Sequence, residues 1–178
     1  MNAVQNASLV VMGVAGCGKS SLGAGLAHRL GFELIEGDDH HSEGNRLKMQ
    51  QGTPLTDDDR AGWLVGLGWL LARRPGGMVL TCSALRRAYR DQLRAASPGL
   101  RFVFLEIAPE QALRRVAARP GHFFNTKLVD SQFATLESPV GEPGVLRVDA
   151  AEPLSQLLDQ VTAWAVAANP FPQTPEAA

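Results

Sequence analysis

Cysteine is scarce in this chain. Its two thiols, Cys17 and Cys82, form neither a disulfide framework nor a metal-ligand spacing. A reduced, cytoplasmic setting follows, and the two thiols could still meet near one sheet edge as an oxidisable pair. An excess of one charge sign is also missing: 17 Lys and Arg stand against 18 Asp and Glu, a net charge of -1. No broad basic field is therefore on offer, and neither nucleic acid nor a membrane surface is an expected partner. Any work on anions has to come from locally placed cations. Long apolar runs are lacking too. The opening MNAVQNASLVVMG has no basic leader and its apolar run is too short for a signal peptide or a membrane span. No internal repeat and no long linker divides the chain.

What is present is an alternation. With 45% hydrophobic and 20% charged residues over 178 positions, the composition fits one soluble domain with a single sizeable core. Short β-rich runs at 8–13, 32–37, 78–82, 101–107 and 145–148 predict five strands, several apolar on both faces. Helical patterns at 20–30, 60–74, 85–96, 109–119 and from about Pro153 to 168 separate or follow them. Pro109 and Pro153 suit a first helical turn. The expected fold is α/β: a three-layer P-loop NTPase-like arrangement with a five-stranded parallel sheet between helices. Residues 1–168 are read as one domain and the proline-rich tail 169–178 as lacking fixed structure.

The strongest motif is GVAGCGKSS, from Gly13 through Val14, Ala15, Gly16, Cys17, Gly18, Lys19 and Ser20 to Ser21. It matches the full phosphate-binding P-loop pattern between a strand and a helix. The glycines let backbone N–H groups turn inward around a phosphate, and the helix that follows aims its positive end at the same place. Lys19 is expected to neutralise the β- and γ-phosphates of ATP, and the Ser20 hydroxyl to ligate Mg²⁺. A guanine-reading N-K-x-D segment is absent. The third strand ends in Cys82-Ser83-Ala84 rather than in an acidic pair. A GTPase and an oligomeric motor are thereby disfavoured, and a small-molecule kinase remains.

The acceptor side is read from EGDDHHSEGNRLKMQQGTPLTDDDR, which follows the second strand. Asp38 falls at the carboxyl edge of the sheet, where it could accept a hydroxyl proton. Asp39 is read as a helix cap, and 57–59 as an acidic helix start. His40 and His41 lack a third metal ligand, so His41 is assigned a hydrogen bond to substrate rather than a metal. Arg46, Arg60, Ser83, Arg86, Arg87 and Arg90 are candidate contacts for an anionic, hydroxylated acceptor, with simple solvation the alternative for the arginines of the 85–96 helix. Arg115 and Arg119, four apart on one helix face, are read as lid arginines that close over ATP, the lid spanning about 115–135. Trp63 and Trp69 are read as core.

The stretches GVAGCGKS, EGDD-H, N-RLKM with G-PL-DDDR-GWL, CSALRRAYRDQLR, GHFF and SQFATLE-P occur in the order and spacing of small P-loop gluconate kinases, and the chain resembles that family over nearly its whole length. The resemblance implies transfer of the ATP γ-phosphate to the 6-hydroxyl of D-gluconate, a fold like that of nucleoside monophosphate and shikimate kinases, a helical lid, and a homodimer. It implies Asp38 as base and acceptor contact. It puts His41, Arg60, Ser83 and Arg87 in stretches facing the acceptor, Arg115 and Arg119 in the lid, and 148–150 against adenine. Another acceptor, such as shikimate or a different sugar acid, is the alternative. Three positions depart from the family pattern: His40-His41-Ser42 for Leu-His-Pro, Gly62 for a proline, and Asn125-Thr126 for two lid prolines.

Overall fold

The LVVM run is apolar at every position because both of its faces are covered. In the computed structural model, which describes residues 7–119 and 126–167, this run is β1 (Leu9–Met12), the central strand of a five-stranded parallel sheet. The others are β2 (Glu33–Glu36), β3 (Met78–Thr81), β4 (Arg101–Glu106) and β5 (Val145–Asp149), in the order β2-β3-β1-β4-β5. Val10 stands level with Leu80 on one side and Phe102 on the other. The helices are α1 (Lys19–Leu30), α2 (Glu43–Gln50), α3 (Asp57–Ala72), α4 (Arg87–Ala96), α5 (Pro109–Ala117), α6 (Lys127–Thr135) and α7 (Leu154–Val166). Among the described residues no helix is long and apolar enough to cross a membrane.

Strand alternation splits the core in two. Leu9, Val11, Val79 and Val103 pack against Leu22 and Leu26 of α1 and Leu157 and Val161 of α7. Val10, Met12, Leu80 and Phe102 pack against Trp63, Leu64, Leu67 and Leu71 of α3 and Leu93 of α4. Each fully buried leucine contributes about 1.5–3 kcal/mol relative to exposure. Cys17 belongs to the first cluster and Cys82 to the second, so no thiol pair forms at a sheet edge. Both are free and buried, and burial pushes the Cys82 thiol up to about 12.

Several local readings change. Residues 43–50 form α2, which Ser42 caps by accepting from the Asn45 N–H at 3.2 Å. The serine that replaces the family's proline therefore starts a helix. Asp39 does not cap a helix; it lies with Asp38 in a 3-10 turn, Gly37–His40. The acidic start of α3 does form, as a capping box between Thr56 and Asp59. Lys48 binds the Asp59 carboxylate at 2.6 Å, which, with the Thr56 N–H, holds Asp59 down to about 2. Pro153 is the N-cap of α7 rather than part of its first turn. Trp63 is buried, but Trp69 is 55% exposed under the Arg73 guanidinium, and is not core. The GHFF stretch at 121–124, Asn125 and the tail 169–178 lie outside the described residues.

Candidate active site

The P-loop leaves β1 at the carboxyl edge of the sheet, next to the end of β3. Connections from neighbouring strands leave in opposite directions there, which opens a crevice. Gly18 caps α1 with φ 103°, a left-handed conformation that a side chain would strain. Lys19 folds back, its Nζ donating to the Gly13 and Val14 carbonyls at 3.1 Å each. Val14 and Cys17 turn into the core, while Ala15, Gly16, Gly18, Lys19 and Ser20 line a cleft of about 380 Å³. Ser21 is exposed on α1. This donor set fits a phosphate: a glycine-rich turn, a helix N-terminus without a side-chain cap, and a lysine at its mouth.

Opposite the P-loop stands the end of β2. Glu36 accepts from the Ser20 hydroxyl at 3.0 Å and from the Thr81 hydroxyl of β3. Gly37 follows so closely against β3 that an added Cβ would sit 2.3 Å from the Thr81 carbonyl oxygen. That close approach aims the Gly37–His40 turn into the cleft, where Asp38 is well exposed. His41 is buried, stacked on the Trp63 indole with its Nε2 3.9 Å from an Asp38 carboxylate oxygen. Burial pushes the imidazole below its ordinary range; the Asp38 charge opposes this, and Arg60 and Arg46 add to it.

Arg60, in the first turn of α3, lines the same cleft. It donates to the Leu55 carbonyl at 2.5 Å and to the Tyr89 hydroxyl at 3.5 Å, which in turn donates to Asp57. Ser83 enters from the end of β3 and Arg119 from beyond α5. Arg115 instead reaches two backbone oxygens, Cys17 at 3.3 Å and Ala150 at 2.7 Å, joining the P-loop to the turn after β5. Three other arginines stand apart from the cleft. Arg46 donates to the His41 and Asp39 carbonyls and so clasps the acidic turn from behind. Arg87 lies 3.7 Å from Asp91 on the outer face of α4. Arg90 is neither solvated nor facing an acceptor: it is fully buried, ion-paired to Glu142 and bonded to the Ala84 and Leu85 carbonyls.

Sequence reasoning passes over Glu36, Thr81, Trp63 as a cleft wall, and Gln132. Glu36 had a legible signal, a carboxylate at the carboxyl end of the strand that follows the P-loop helix. Gln132 had only its membership of the SQFATLE stretch. In space its Oε1 accepts from the Ala15 N–H at 2.7 Å, and it lines the cleft with Ser131.

An AAA domain family profile matches residues 9–141. A gluconokinase of Gluconobacter oxydans is 43% identical over 156 residues, which cover 86% of this chain and 88% of that one. The thermoresistant gluconokinase of Escherichia coli is 41% identical over 149 residues, covering 82% and 85%. The crystal structure of a gluconokinase from Sinorhizobium meliloti superposes with a TM-score of 0.84 at 45% identity, covering 90% of this chain and 92% of the other. With a complete P-loop, the five-stranded parallel sheet and this degree of likeness over most of its length, the chain belongs to the gluconokinase family of ATP-dependent P-loop kinases.

Proposed function

We propose that the protein transfers the γ-phosphoryl group of ATP to the 6-hydroxyl of D-gluconate, forming 6-phospho-D-gluconate and ADP. The observation that carries this reading is one shared cleft, in which Lys19 and Ser20 of the P-loop face Asp38 and Ser83 from the ends of β2 and β3 and Arg60 from the first turn of α3. A phosphate donor and a hydroxyl acceptor bound there would meet across a short gap, and positioning accounts for much of phosphoryl-transfer catalysis.

In this reading the P-loop N–H groups of residues 13–20 hold the phosphates, and Lys19 exchanges its two carbonyl partners for phosphate oxygens. The Ser20 hydroxyl, with Glu36 beside it, would hold Mg²⁺, which when bound screens the charge of the β- and γ-phosphates. Asp38 accepts the proton of the 6-hydroxyl as its oxygen attacks phosphorus. The bond between the γ-phosphorus and the bridging oxygen breaks, and its electron pair leaves on ADP. Arg60, His41 and Ser83 bind the carboxylate and hydroxyls of the acceptor. Arg46 and Arg87 join them only through closure of the cleft. Arg119 stabilises charge on the phosphoryl group, and Arg115 holds the nucleotide side of the cleft. The reading takes 1–168 as one domain with a lid at about 115–135, acting as a cytoplasmic homodimer.

The test is a coupled assay of purified protein with ATP and Mg²⁺ across a panel of D-gluconate, other aldonic acids and shikimate. ADP formation on addition of D-gluconate is the expected result. Turnover with shikimate and none with any aldonic acid would overturn the assignment.

A further inference from the structure

The segment from Gln132 to Glu137 touches both halves of the cleft at once. At one end Gln132 Oε1 accepts from the Ala15 N–H of the P-loop at 2.7 Å. At the other, the Glu137 N–H donates to the Leu85 carbonyl at 2.8 Å, and the Glu137 carboxylate accepts from the Arg87 N–H at 2.7 Å. Leu85 and Arg87 belong to the turn that carries Ser83 into the cleft and opens α4. That helix has no side-chain cap of its own, so the Glu137 carboxylate serves as its N-terminal acceptor from a distant part of the chain. Between the two ends, Leu136 packs against both core clusters. The Leu136 N–H donates to the Gln132 carbonyl at 2.9 Å, closing the last turn of α6 between the two anchors.

We infer that residues 132–137 are a strut that sets the position of the P-loop relative to the Ser83 turn after β3 (the acceptor turn), with Gln132 and Glu137 as positioning residues for phosphoryl transfer. The inference rests on the phosphoryl-transfer reading above. Neither anchor depends on a ligand: Gln132 holds a backbone N–H of the loop, and Glu137 is exposed and does not line the cleft. Their effect falls on the distance between donor and acceptor, because P-loop and acceptor turn hang from adjacent strands, β1 and β3, and the strut ties the two beyond the strand ends. A misplacement of about 1 Å between reacting groups costs as much as about a hundredfold in rate.

The experiment uses the full chain with Gln132→Ala, Glu137→Ala and Glu137→Gln, and Gln132→Met, closer in size, should the alanine variant fail to fold. Gluconate-dependent ADP formation gives kcat, and calorimetry gives Kd for ATP and for D-gluconate separately. Hydrogen exchange reads the Ala15 and Arg87 amides. Gln132→Ala and Glu137→Ala are expected to lower kcat by about 10- to 100-fold with each Kd within about threefold of wild type. Glu137→Gln, which keeps an acceptor oxygen for the Arg87 N–H, should recover most of that loss. An unchanged kcat, a loss carried entirely by the Kd of ATP, or a glutamine variant no better than alanine would overturn the strut. Exchange needs no turnover. An inactive wild type with a protected Ala15 amide that Gln132→Ala exposes would sink the acceptor assignment alone, whereas an unprotected wild-type Ala15 amide would sink the strut.

Discussion

The His41 imidazole lies over the Trp63 indole, ring centroids 4.1 Å apart and planes 20° from parallel. The same indole donates from Nε1 to the Gly37 carbonyl at 2.8 Å. One buried tryptophan therefore grips both ends of the turn that carries Asp38, which converts a polar loop into a fixed wall of the cleft.

That grip has a pH signature. Burial holds the His41 imidazole below its ordinary range, with Asp38 opposing and Arg60 and Arg46 reinforcing. The unfolded chain takes up this proton near pH 6.5 and the folded chain only lower down. Stability from this group is thus present above about pH 6.5 and is lost as pH falls through that value toward the lowered folded pKa. Thermal melts between pH 7.5 and 5 should show a steeper fall in Tm for the wild type than for His41→Phe, which keeps the stack and cannot titrate. Parallel curves would show that His41 contributes no such proton linkage.

Asp38 tests the chemistry. Asp38→Asn keeps the size and the hydrogen-bonding capacity of the side chain but cannot take the hydroxyl proton. A fall in kcat of about 10²–10⁴-fold with ATP affinity largely intact is expected, measured by steady-state kinetics and nucleotide titration. Near-normal turnover would remove Asp38 from the base role.

Arg90 tests the scaffold. Its guanidinium is fully buried, pairs with Glu142, and ties down the Ala84 and Leu85 carbonyls of a turn in which Ala84 takes a left-handed φ of 46°. Removing one partner of a buried pair typically costs about 3–5 kcal/mol, so Arg90→Met should shift urea unfolding by that order. Glu142 retains Arg94 at 2.8 Å, which places the loss at the lower end. Arg90→Met combined with Glu142→Leu should regain part of the loss; a double variant weaker than the sum of the singles would contradict this.

Two glycines should respond in opposite directions to alanine. Gly62 lies in α3 with open space around its Cβ position, so Gly62→Ala should stabilise by about 1 kcal/mol. Gly37 has the Thr81 carbonyl oxygen 2.3 Å from that position, so Gly37→Ala must push β2 from β3 and displace the Asp38 turn. It should lower both Tm and kcat. Chemical denaturation read beside activity separates the two effects.

The local code of this chain is unusually explicit, and the sequence alone determined the strands, the parallel α/β class, the phosphate cradle and the acidic start of α3. Those features depend on residues close in sequence: five apolar runs, one glycine-lysine-serine turn, three aspartates before an apolar helix. What it could not determine is where long polar side chains end. Arg90 looks like any helix arginine until Glu142, 52 positions away, is seen beside it. Trp63 and Trp69 share one apolar helix, yet only the helix's rotation against the sheet decides which of them is buried. Glu36 meets Ser20 because β2 lies two strands from β1, and Gln132 meets Ala15 across 117 positions. Strands and caps answer to their neighbours in the chain, whereas a charged group answers to whatever partner packing brings within about 3 Å, and that is settled only by the tertiary fold.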